Sequence, residues 1–255
     1  MWKITPLHVG TVTTIAGGLI MKHGAKSNPG ELVQGPHIAW LLEDSSRNRK
    51  ILVDTGSDNN NERNSRLHNP VDRSKGKHIV KALADKGLTP DDIDAIIVTH
   101  LHWDHAQAVL DLPSTLPVIC QKSELLFAVA PYPTDAKHYE TAVKDQVPYF
   151  LQFYHQYDLV EGEEVIEPGL SVIPLPGHSC GSQGVVVDTK DGRFVIAGDL
   201  INIRDNWTKR TPGGIYNDIK AYFESFARLE VLEKQGAVIL PAHDFWVFEN
   251  YPSIG

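Results

Sequence analysis

The feature that most constrains this chain is a dense cluster of imidazole and carboxylate groups directly after a short apolar run. The run Asp94-Ala95-Ile96-Ile97-Val98 is followed by Thr99 and then by His100-Leu101-His102-Trp103-Asp104-His105. A short apolar run of this kind is typical of a buried strand. Neutral imidazoles and carboxylates are the ligands that Zn²⁺ and similar cations take in proteins. The segment therefore predicts a metal site at the end of a strand.

Further ligands of the same types follow other apolar runs. His178 comes after the run 170–175, Asp199 after 193–197 and His243 after 237–240. Because side chains from the ends of neighbouring strands meet at one edge of a sheet, we expect all of these groups to converge. The candidate metal ligands are His100, His102, Asp104, His105, His178, Asp199 and His243.

Seven ligands suggest two ions rather than one. We assign His100, His102 and His178 to a first ion, because alternate residues of an extended backbone point the same way. We assign Asp104, His105 and His243 to a second ion and Asp199 to both. Two ions about 3.5–4 Å apart would hold a bridging hydroxide as the nucleophile. Asp199 and Asp104 are the catalytic candidates, Asp199 as the bridge and Asp104 as a proton shuttle.

The order of these residues resembles the metallo-β-lactamase superfamily of dinuclear metal hydrolases. The similarity extends to Val53-Asp54-Thr55-Gly56, Pro176-Gly177-His178 and Gly198-Asp199, and it covers essentially the whole chain. The resemblance implies an α/β (α+β) fold, namely an αββα sandwich with the metal site at the edge of two sheets. Residues 1–255 are then expected to form a single domain that hydrolyses an ester, lactone, thioester, amide or phosphodiester.

Within the superfamily, the chain is similar to the quorum-quenching N-acyl homoserine lactonases. This similarity implies that the bridging hydroxide opens a small lactone ring and that the protein is a homodimer. Zn²⁺ is the expected metal at both sites, with Fe²⁺, Mn²⁺ or Co²⁺ as alternatives. Lactonases of this group carry a tyrosine shortly after the bridging aspartate, whereas this chain has Asn202 near that place. We expect Asn202, Tyr216 or a water to replace its donor, and Phe153 to contact substrate.

Two other activities stay open at this point. A glyoxalase II-like thioester hydrolase also suits the Thr99–His105 pattern, but such proteins usually carry a C-terminal extension, and this chain ends shortly after His243. A mononuclear iron sulfur dioxygenase needs only two histidines and one aspartate, so the larger ligand set favours a hydrolase. A net charge of −8 and a pI near 5.8 leave no basic footprint for nucleic acid.

Several residues are expected to support the site. A buried Asp54 needs a partner, and the N–H of a ligating imidazole is the one we expect. Asp244 is expected either to support the ligands in the same way or to cap the turn that follows it. The polar stretch 57–73 and the aromatic stretch 127–157 are of the kind that commonly roofs an active site. For the aromatic residues we favour packing on the sheet, with the lining of an acyl or ring pocket as the alternative. Residues 21–34 are expected to be irregular. The remaining histidines are expected to have structural roles: His8, His23, His37, His68, His78, His138 and His155.

The composition fits an ordinary globular enzyme. Hydrophobic residues make up 42% of the 255 residues, which is enough for a large core. Two cysteines, no secretory leader and no apolar stretch near ~20 residues predict a cytoplasmic protein without a membrane partner. Predicted strands lie near 3–14, 37–43, 50–54, 94–98, 170–175, 184–188, 193–198 and 237–240, and predicted helices near 74–87 and 216–234.

Overall fold

The computed structural model describes residues 1–21 and 28–255. Within these residues the strands are β1 (Lys3–Ile15), β2 (Leu32–Asp44), β3 (Arg49–Val53), β4 (Val71–Asp72), β5 (Ala95–Ile97), β6 (Val118–Gln121), β7 (Tyr157–Val160), β8 (Glu164–Glu167), β9 (Leu170–Pro174), β10 (Gln183–Thr189), β11 (Gly192–Ile196) and β12 (Val238–Leu240). The helices are α1 (Ala16–Leu19), α2 (Asn61–Leu67), α3 (Ile79–Ala84), α4 (Trp103–Ala106), α5 (Lys122–Val129), α6 (Ala136–Tyr139), α7 (Tyr149–Gln152), α8 (Arg204–Thr208), α9 (Ile219–Lys234) and α10 (Trp246–Asn250). Four short 3₁₀ turns join them, at Pro90–Asp92, Gln107–Asp111, Tyr154–Gln156 and Gly198–Ile201.

The strands form two mixed sheets. The first sheet has the order β4-β1-β2-β3-β5-β6-β7, and the second has the order β12-β11-β10-β9-β8. The pairs β3–β5, β5–β6 and β6–β7 are parallel, as is β11–β12, and the remaining pairs are antiparallel. Parallel neighbours bring their carboxyl ends to the same edge, and this is where the predicted ligands leave the sheets.

Alternation along the strands places the two sheets face to face. In β2, Ile38, Trp40 and Leu42 join an apolar layer with residues of the second sheet, whereas Ala39 and Leu41 face the opposite side. Side chains of a strand alternate between its faces, so β2 is covered on both sides. Burying one such large apolar side chain contributes about 1.5–3 kcal/mol relative to exposure. The middle apolar layer is therefore the main contact between the sheets.

Helices cover the two outer faces. Leu83 of α3 and Phe150 of α7 pack on the outer face of the first sheet. Tyr222, Phe226 and Leu229 recur at helical spacing along α9 and pack on the outer face of the second sheet. The layers run helix, sheet, sheet, helix, so the predicted αββα sandwich is confirmed.

Some boundaries differ from the predicted ones. The helix predicted at 74–87 is confined to Ile79–Ala84, because the preceding segment packs on β1, where Lys77 donates its N–H to His8 O. The helix predicted at 216–234 begins at Ile219, because the Asp218 side chain caps it. Of the segment 21–34, residues 21 and 28–31 lie outside helices and strands, as predicted, but β2 begins at Leu32, so 32–34 are not irregular. Residues 22–27, including His23, lie outside the described residues. Across residues 1–21 and 28–255, no helix combines the length and apolarity needed to cross a bilayer.

Candidate metal centre

The structure brings all seven predicted ligands to one edge of the sandwich. His100 and His102 lie in the loop after β5, and Asp104 and His105 lie in α4. The other three follow strands of the second sheet, His178 after β9, Asp199 after β11 and His243 after β12. The six residues other than Asp104 are buried. Four strand ends therefore supply one cluster.

The first group consists of His100, His102 and His178. One ligand atom from each lies within 4.8 Å of the others. His178 Nε2 is 3.0 Å from His102 Nδ1 and 3.5 Å from Asp199 Oδ2. This is the set of residues that the sequence analysis assigns to a first ion.

The second group consists of Asp104, His105 and His243, again with ligand atoms within 4.8 Å of one another. Asp199 Oδ1 lies 3.0 Å from both His105 Nε2 and His243 Nε2. Asp104 Oδ2 lies 3.8 Å from His105 Nε2 and 3.7 Å from His243 Nε2. Asp199 thus turns Oδ1 towards the second group and Oδ2 towards His178, as a bridging carboxylate does.

Unpartnered polar atoms show that this cluster fits metal ions. His100 Nε2, His105 Nε2 and Asp199 Oδ1 are buried and make no well-aligned hydrogen bond, although His105 Nε2 and Asp199 Oδ1 lie 3.0 Å apart. The same three residues have ligand atoms within 4.8 Å of one another. Buried polar groups are nearly always paired, and a cation would satisfy all three atoms together. Imidazole and carboxylate donors in this number suit Zn²⁺ and the other first-row divalent ions.

The charges of the ligands differ between the two groups. Burial lowers the pKa of His100 and His102 well below the ordinary histidine value, so both rings are neutral and ready to ligate. For His105, burial opposes protonation, but nearby carboxylates, Asp199 first, raise its pKa well above 6.5. The pKa of His243 is raised for the same reason. Burial opposes ionisation of Asp199, yet the histidines around it, His243 first, hold its pKa well below the usual range.

The far ring nitrogen of four ligand histidines has a fixed partner. His105 Nδ1 lies 2.8 Å from Asp54 Oδ2, and Asp54 also accepts the Thr99 N–H at 2.7 Å. The contact with His105 is the one expected for Asp54. Two rings contact backbone carbonyls, His178 Nδ1 at 3.0 Å from Ile215 O and His243 Nδ1 at 2.9 Å from Pro36 O. His100 Nδ1 lies 3.1 Å from Thr99 Oγ1. Partners of this kind fix the tautomer and orientation of a ligating ring.

One buried carboxylate joins the two loops that carry the first group. Glu124, at the start of α5, is fully buried. Its Oε1 accepts the N–H of Leu101 at 2.9 Å and the phenol of Tyr139 at 2.9 Å. Its Oε2 accepts the Ser179 hydroxyl at 2.7 Å and the Gly181 N–H at 2.9 Å. Leu101 lies between His100 and His102, and Ser179 follows His178. Glu124 therefore fixes the loop of His100 and His102 relative to the loop of His178.

Close backbone packing explains the glycine before His178. Gly177 has φ +137°, a conformation that other residues rarely adopt. A Cβ at this position would lie 2.4 Å from Tyr222 Cα. The Tyr222 phenol in turn lies 2.7 Å from Leu200 O and 3.0 Å from Asp199 O. Helix α9 therefore holds the two loops that carry His178 and Asp199.

A cavity of about 260 Å³ opens directly onto the cluster. Its floor includes Asp104, His178, Asp199 and His243. One wall is small or apolar and comes from the β1–β2 hairpin and the loop before α9, and it includes Val12, Gly18, Leu19, Gly35 and Ile215. A polar wall carries hydrogen-bonding groups from the two inserted segments, and it includes His68, Asn69, Lys137 and His138. An occupant would thus meet both apolar and polar groups.

The polar wall is fixed to the metal-bearing helix. The ring of His68 stacks on Trp103 at 4.4 Å with an angle of 1°. His68 Nε2 lies 2.9 Å from Glu140 Oε1, and Glu140 also pairs with Arg63 and accepts from Gln107 Nε2 at 3.1 Å. The segments 57–73 and 127–157 are linked in this way beside Trp103. Both contribute residues to the cavity wall.

Three expected support or substrate residues lie elsewhere. Phe153 belongs to the core under α7, 5.3 Å from the ring of Tyr157, and does not line the cavity, because its face of the segment packs on the sheet. Tyr216 is exposed, and its neighbour Ile215 lines the cavity instead. Asp244 does not touch the ligands. Its carboxylate accepts the N–H groups of Arg204 at 2.8 Å and Trp246 at 3.0 Å, so it caps the turns there. Asn202 does line the cavity.

Three histidines near the centre were not expected there. His68 and His138 line the cavity, and the ring of His138 lies 4.8 Å from that of His102. Burial lowers the pKa of His138 to about 4, so the ring is neutral at neutral pH. His37 is fully buried beside Asp104. His37 directly precedes the apolar run 38–42, and this position could have indicated that it is buried. The sequence around His68 and His138 shows no such pattern.

Comparisons with known proteins agree with this geometry. The sequence model of the metallo-beta-lactamase superfamily matches residues 32–243. The N-acyl homoserine lactonase AiiA of Bacillus thuringiensis subsp. kurstaki is 29% identical over 242 residues, covering 90% of each protein. An N-acyl homoserine lactone hydrolase solved with N-hexanoyl-L-homoserine at its catalytic metal centre superposes with a TM-score of 0.80 at 23% identity, over 99% of this chain and 98% of the other.

AidC, described as a dizinc quorum-quenching lactonase, superposes with a TM-score of 0.71 at 16% identity, over 96% of this chain and 88% of AidC. The family match spans most of the chain and includes every residue of the cluster, from His100 to His243. The chain belongs to the metallo-β-lactamase superfamily.

Proposed function

We propose that this protein is a dinuclear metal-dependent hydrolase that opens the ring of N-acyl homoserine lactones. The observation that carries the proposal is the convergence of seven ligand residues in one cluster beside a cavity, namely His100, His102, Asp104, His105, His178, Asp199 and His243. Five of them, all but His100 and His105, line the cavity. The lactonases AiiA and AidC support the substrate class, and the dizinc description of AidC supports Zn²⁺ as the metal.

The residues would divide the work as follows. Two divalent ions, when bound, would polarise the ester carbonyl and supply a nucleophile from water near neutral pH. His100, His102 and His178 would hold the first ion, and Asp104, His105 and His243 the second. Asp199 would face both groups, as its two oxygens do in the structure. The cavity above them would take the lactone ring with its ester towards the floor.

Asn202 is the proposed replacement for the tyrosine of the related lactonases. Its Nδ2 donates to Leu19 O at 3.1 Å, which fixes the amide at the cavity wall. A primary amide has a second N–H, and this one is available for a substrate carbonyl or ring oxygen. Asp104 is the proposed proton shuttle, because it lines the cavity and its side chain is more exposed than that of Asp199.

The proposal is tested by metal content and turnover on the same preparation. Protein purified without chelator should contain about two divalent ions per chain by plasma mass spectrometry. It should release acid from N-hexanoyl-homoserine lactone in a pH-indicator assay, and His178→Ala should lose both properties. His155→Ala is the matched control, because His155 is an exposed histidine outside the cluster. Turnover of glutathione thioesters alone would favour the glyoxalase II-like activity, and a single iron per chain would contradict the dinuclear centre.

We also propose that residues 1–255 fold as one domain. The support is the middle apolar layer, which contains residues from both halves of the chain, such as Trp40 and Val185. Thermal unfolding of the metal-free protein should then show one cooperative transition by both calorimetry and fluorescence. The homodimer and the cytoplasmic location stay predictions.

A further inference from the structure

We infer that His37 is a positioning residue for the second metal group, where its imidazole N–H holds the carboxylate of Asp104 once the ions are bound. The inference rests on the metal centre of the proposed function. It does not depend on which substrate that centre hydrolyses.

His37 has an unusual environment for a buried histidine. Its side chain is fully buried in β2, and neither Nδ1 nor Nε2 has a hydrogen-bond partner. Among the described residues, no other histidine has both ring nitrogens buried and unpaired. A buried polar group without a partner destabilises a fold, so a structural histidine would be expected to have found one.

The ring faces one ligand of the second group. His37 Nε2 lies 3.6 Å from Asp104 Oδ2, just beyond hydrogen-bond length. The same oxygen faces His105 Nε2 and His243 Nε2 at 3.8 and 3.7 Å. A carboxylate oxygen has lone pairs for both a cation and an N–H donor. A small shift of Asp104 on binding an ion would therefore complete a hydrogen bond from His37.

The neighbours of His37 hold the ring in this place. It packs edge-on against Trp103 at 5.4 Å and against His243 at 5.7 Å. Pro36, the preceding residue, accepts from His243 Nδ1 at 2.9 Å. Two consecutive residues of β2 thus contact two ligands of the second group, Pro36 through its carbonyl and His37 through its ring. His37 is not within 4.8 Å of that whole group, so it acts on Asp104 rather than as a further ligand.

The test measures the melting temperature of the metal-free protein and the affinity of the protein for Zn²⁺. His37→Leu removes the N–H but keeps an apolar side chain of similar size, and His37→Gln keeps an N–H donor. Without metal, His37→Leu should melt at a higher temperature than the parent protein, because an unpaired buried polar group is removed. In Zn²⁺ titrations against a competing chelator, the same variant should bind the second ion 10–100-fold more weakly and the first ion unchanged.

Assignment of the two sites comes from variants of their own ligands. His102→Ala marks the first site and His243→Ala the second in the same titrations. His37→Gln should recover most of the lost affinity, and His155→Leu should change neither quantity. Unchanged Zn²⁺ affinity in His37→Leu, or no recovery in His37→Gln, would overturn the inference. Since none of these readouts uses a lactone, absence of lactone turnover would reject the proposed substrate while leaving the result for His37 intact.

Discussion

Asp54 at the end of β3 orients His105 on α4, with 2.8 Å between Asp54 Oδ2 and His105 Nδ1. Asp54 has a left-handed backbone with φ +58°, and its carboxylate also accepts the Thr99 N–H and hydroxyl. One side chain therefore joins the first sheet, the loop before His100 and a residue of the second group.

The first prediction concerns this carboxylate. Asp54→Ala should weaken binding of the second ion by 10–100-fold, because His105 loses the partner that fixes its tautomer and orientation. Metal content and chelator competition measure the effect. Asp244→Ala is the matched control, since the Asp244 carboxylate accepts the backbone N–H groups of Arg204 and Trp246 rather than an imidazole N–H, and its metal content should equal that of the parent. Equal losses in both variants would contradict a specific role for Asp54.

The second prediction concerns Glu124. In Glu124→Gln one acceptor oxygen becomes an NH₂ group, so two of the four buried donors around it lose their acceptor. Each unpaired buried group costs about 1–3 kcal/mol, and we expect a total loss of about 2–6 kcal/mol in the free energy of unfolding. Urea unfolding measures it. Full stability in this variant would show that the Leu101 and Ser179 loops do not depend on the carboxylate.

The third prediction separates core from cavity. Phe153→Ala should lower the free energy of unfolding by about 3–5 kcal/mol, because Phe153 is buried in the core. The protein that remains folded should keep the parent KM. Asn202→Ala should show the opposite pattern, with a several-fold higher KM for the lactone and unchanged metal content. A raised KM in Phe153→Ala would mean that the aromatic segment reaches the substrate.

The fourth prediction concerns pH. Without metal, carboxylates raise the pKa of His105 and His243 above 6.5, so protons occupy two of the predicted ligands near neutral pH. Zn²⁺ must displace these protons, so its affinity should rise as the pH increases above 6.5. Calorimetric titration in two buffers of different ionisation enthalpy should show proton release on binding. Affinity that is independent of pH would contradict the assignment.

The raised pKa values of His105 and His243 also determine how the stability of the metal-free protein changes with pH. A histidine whose pKa is raised in the folded state stabilises the fold below pH 6.5, and this contribution is lost as the pH rises through the folded-state pKa. The metal-free protein should therefore melt at a lower temperature as the pH rises from 7 to 9. Over the same range the stabilisation by added Zn²⁺ should increase.

The sequence predicts the ligands well because each follows an apolar run. Such a run places the next polar residue at a sheet edge whatever the length of the intervening loops, and this applies to His100, His178, Asp199 and His243. The sandwich is predicted by the resemblance to the metallo-β-lactamase superfamily rather than by alternation, because residues 38–42 are apolar on both faces of β2 and their sequence does not show which face meets the second sheet.

The sequence predicts the cavity wall poorly because that wall depends on how the inserted segments fold back. His68 and His138 are 70 residues apart, and no local pattern indicates that both reach the cavity. For the aromatic segment, packing on the sheet is the favoured prediction, and Tyr149 and Phe153 are indeed in the core, but the sequence alone does not show which residues of the segment reach the cavity. The short edge strand β7 was likewise missed, because Asp158 and Leu159 are exposed and give it no clear alternation.

Ile215 belongs to the cavity wall and to the metal centre at once, since its side chain lines the cavity while its carbonyl accepts from His178 Nδ1. Mutations that reshape the 212–216 loop would therefore also displace the ligand His178. Changes selected there for a new substrate would weaken metal binding. Asn69 and Lys137 line the cavity without being ligands, whereas their neighbours His68 and His138 contact Trp103 and the ligand His102. Evolution of specificity in this chain, and libraries made to redirect it, should therefore proceed through positions 69 and 137.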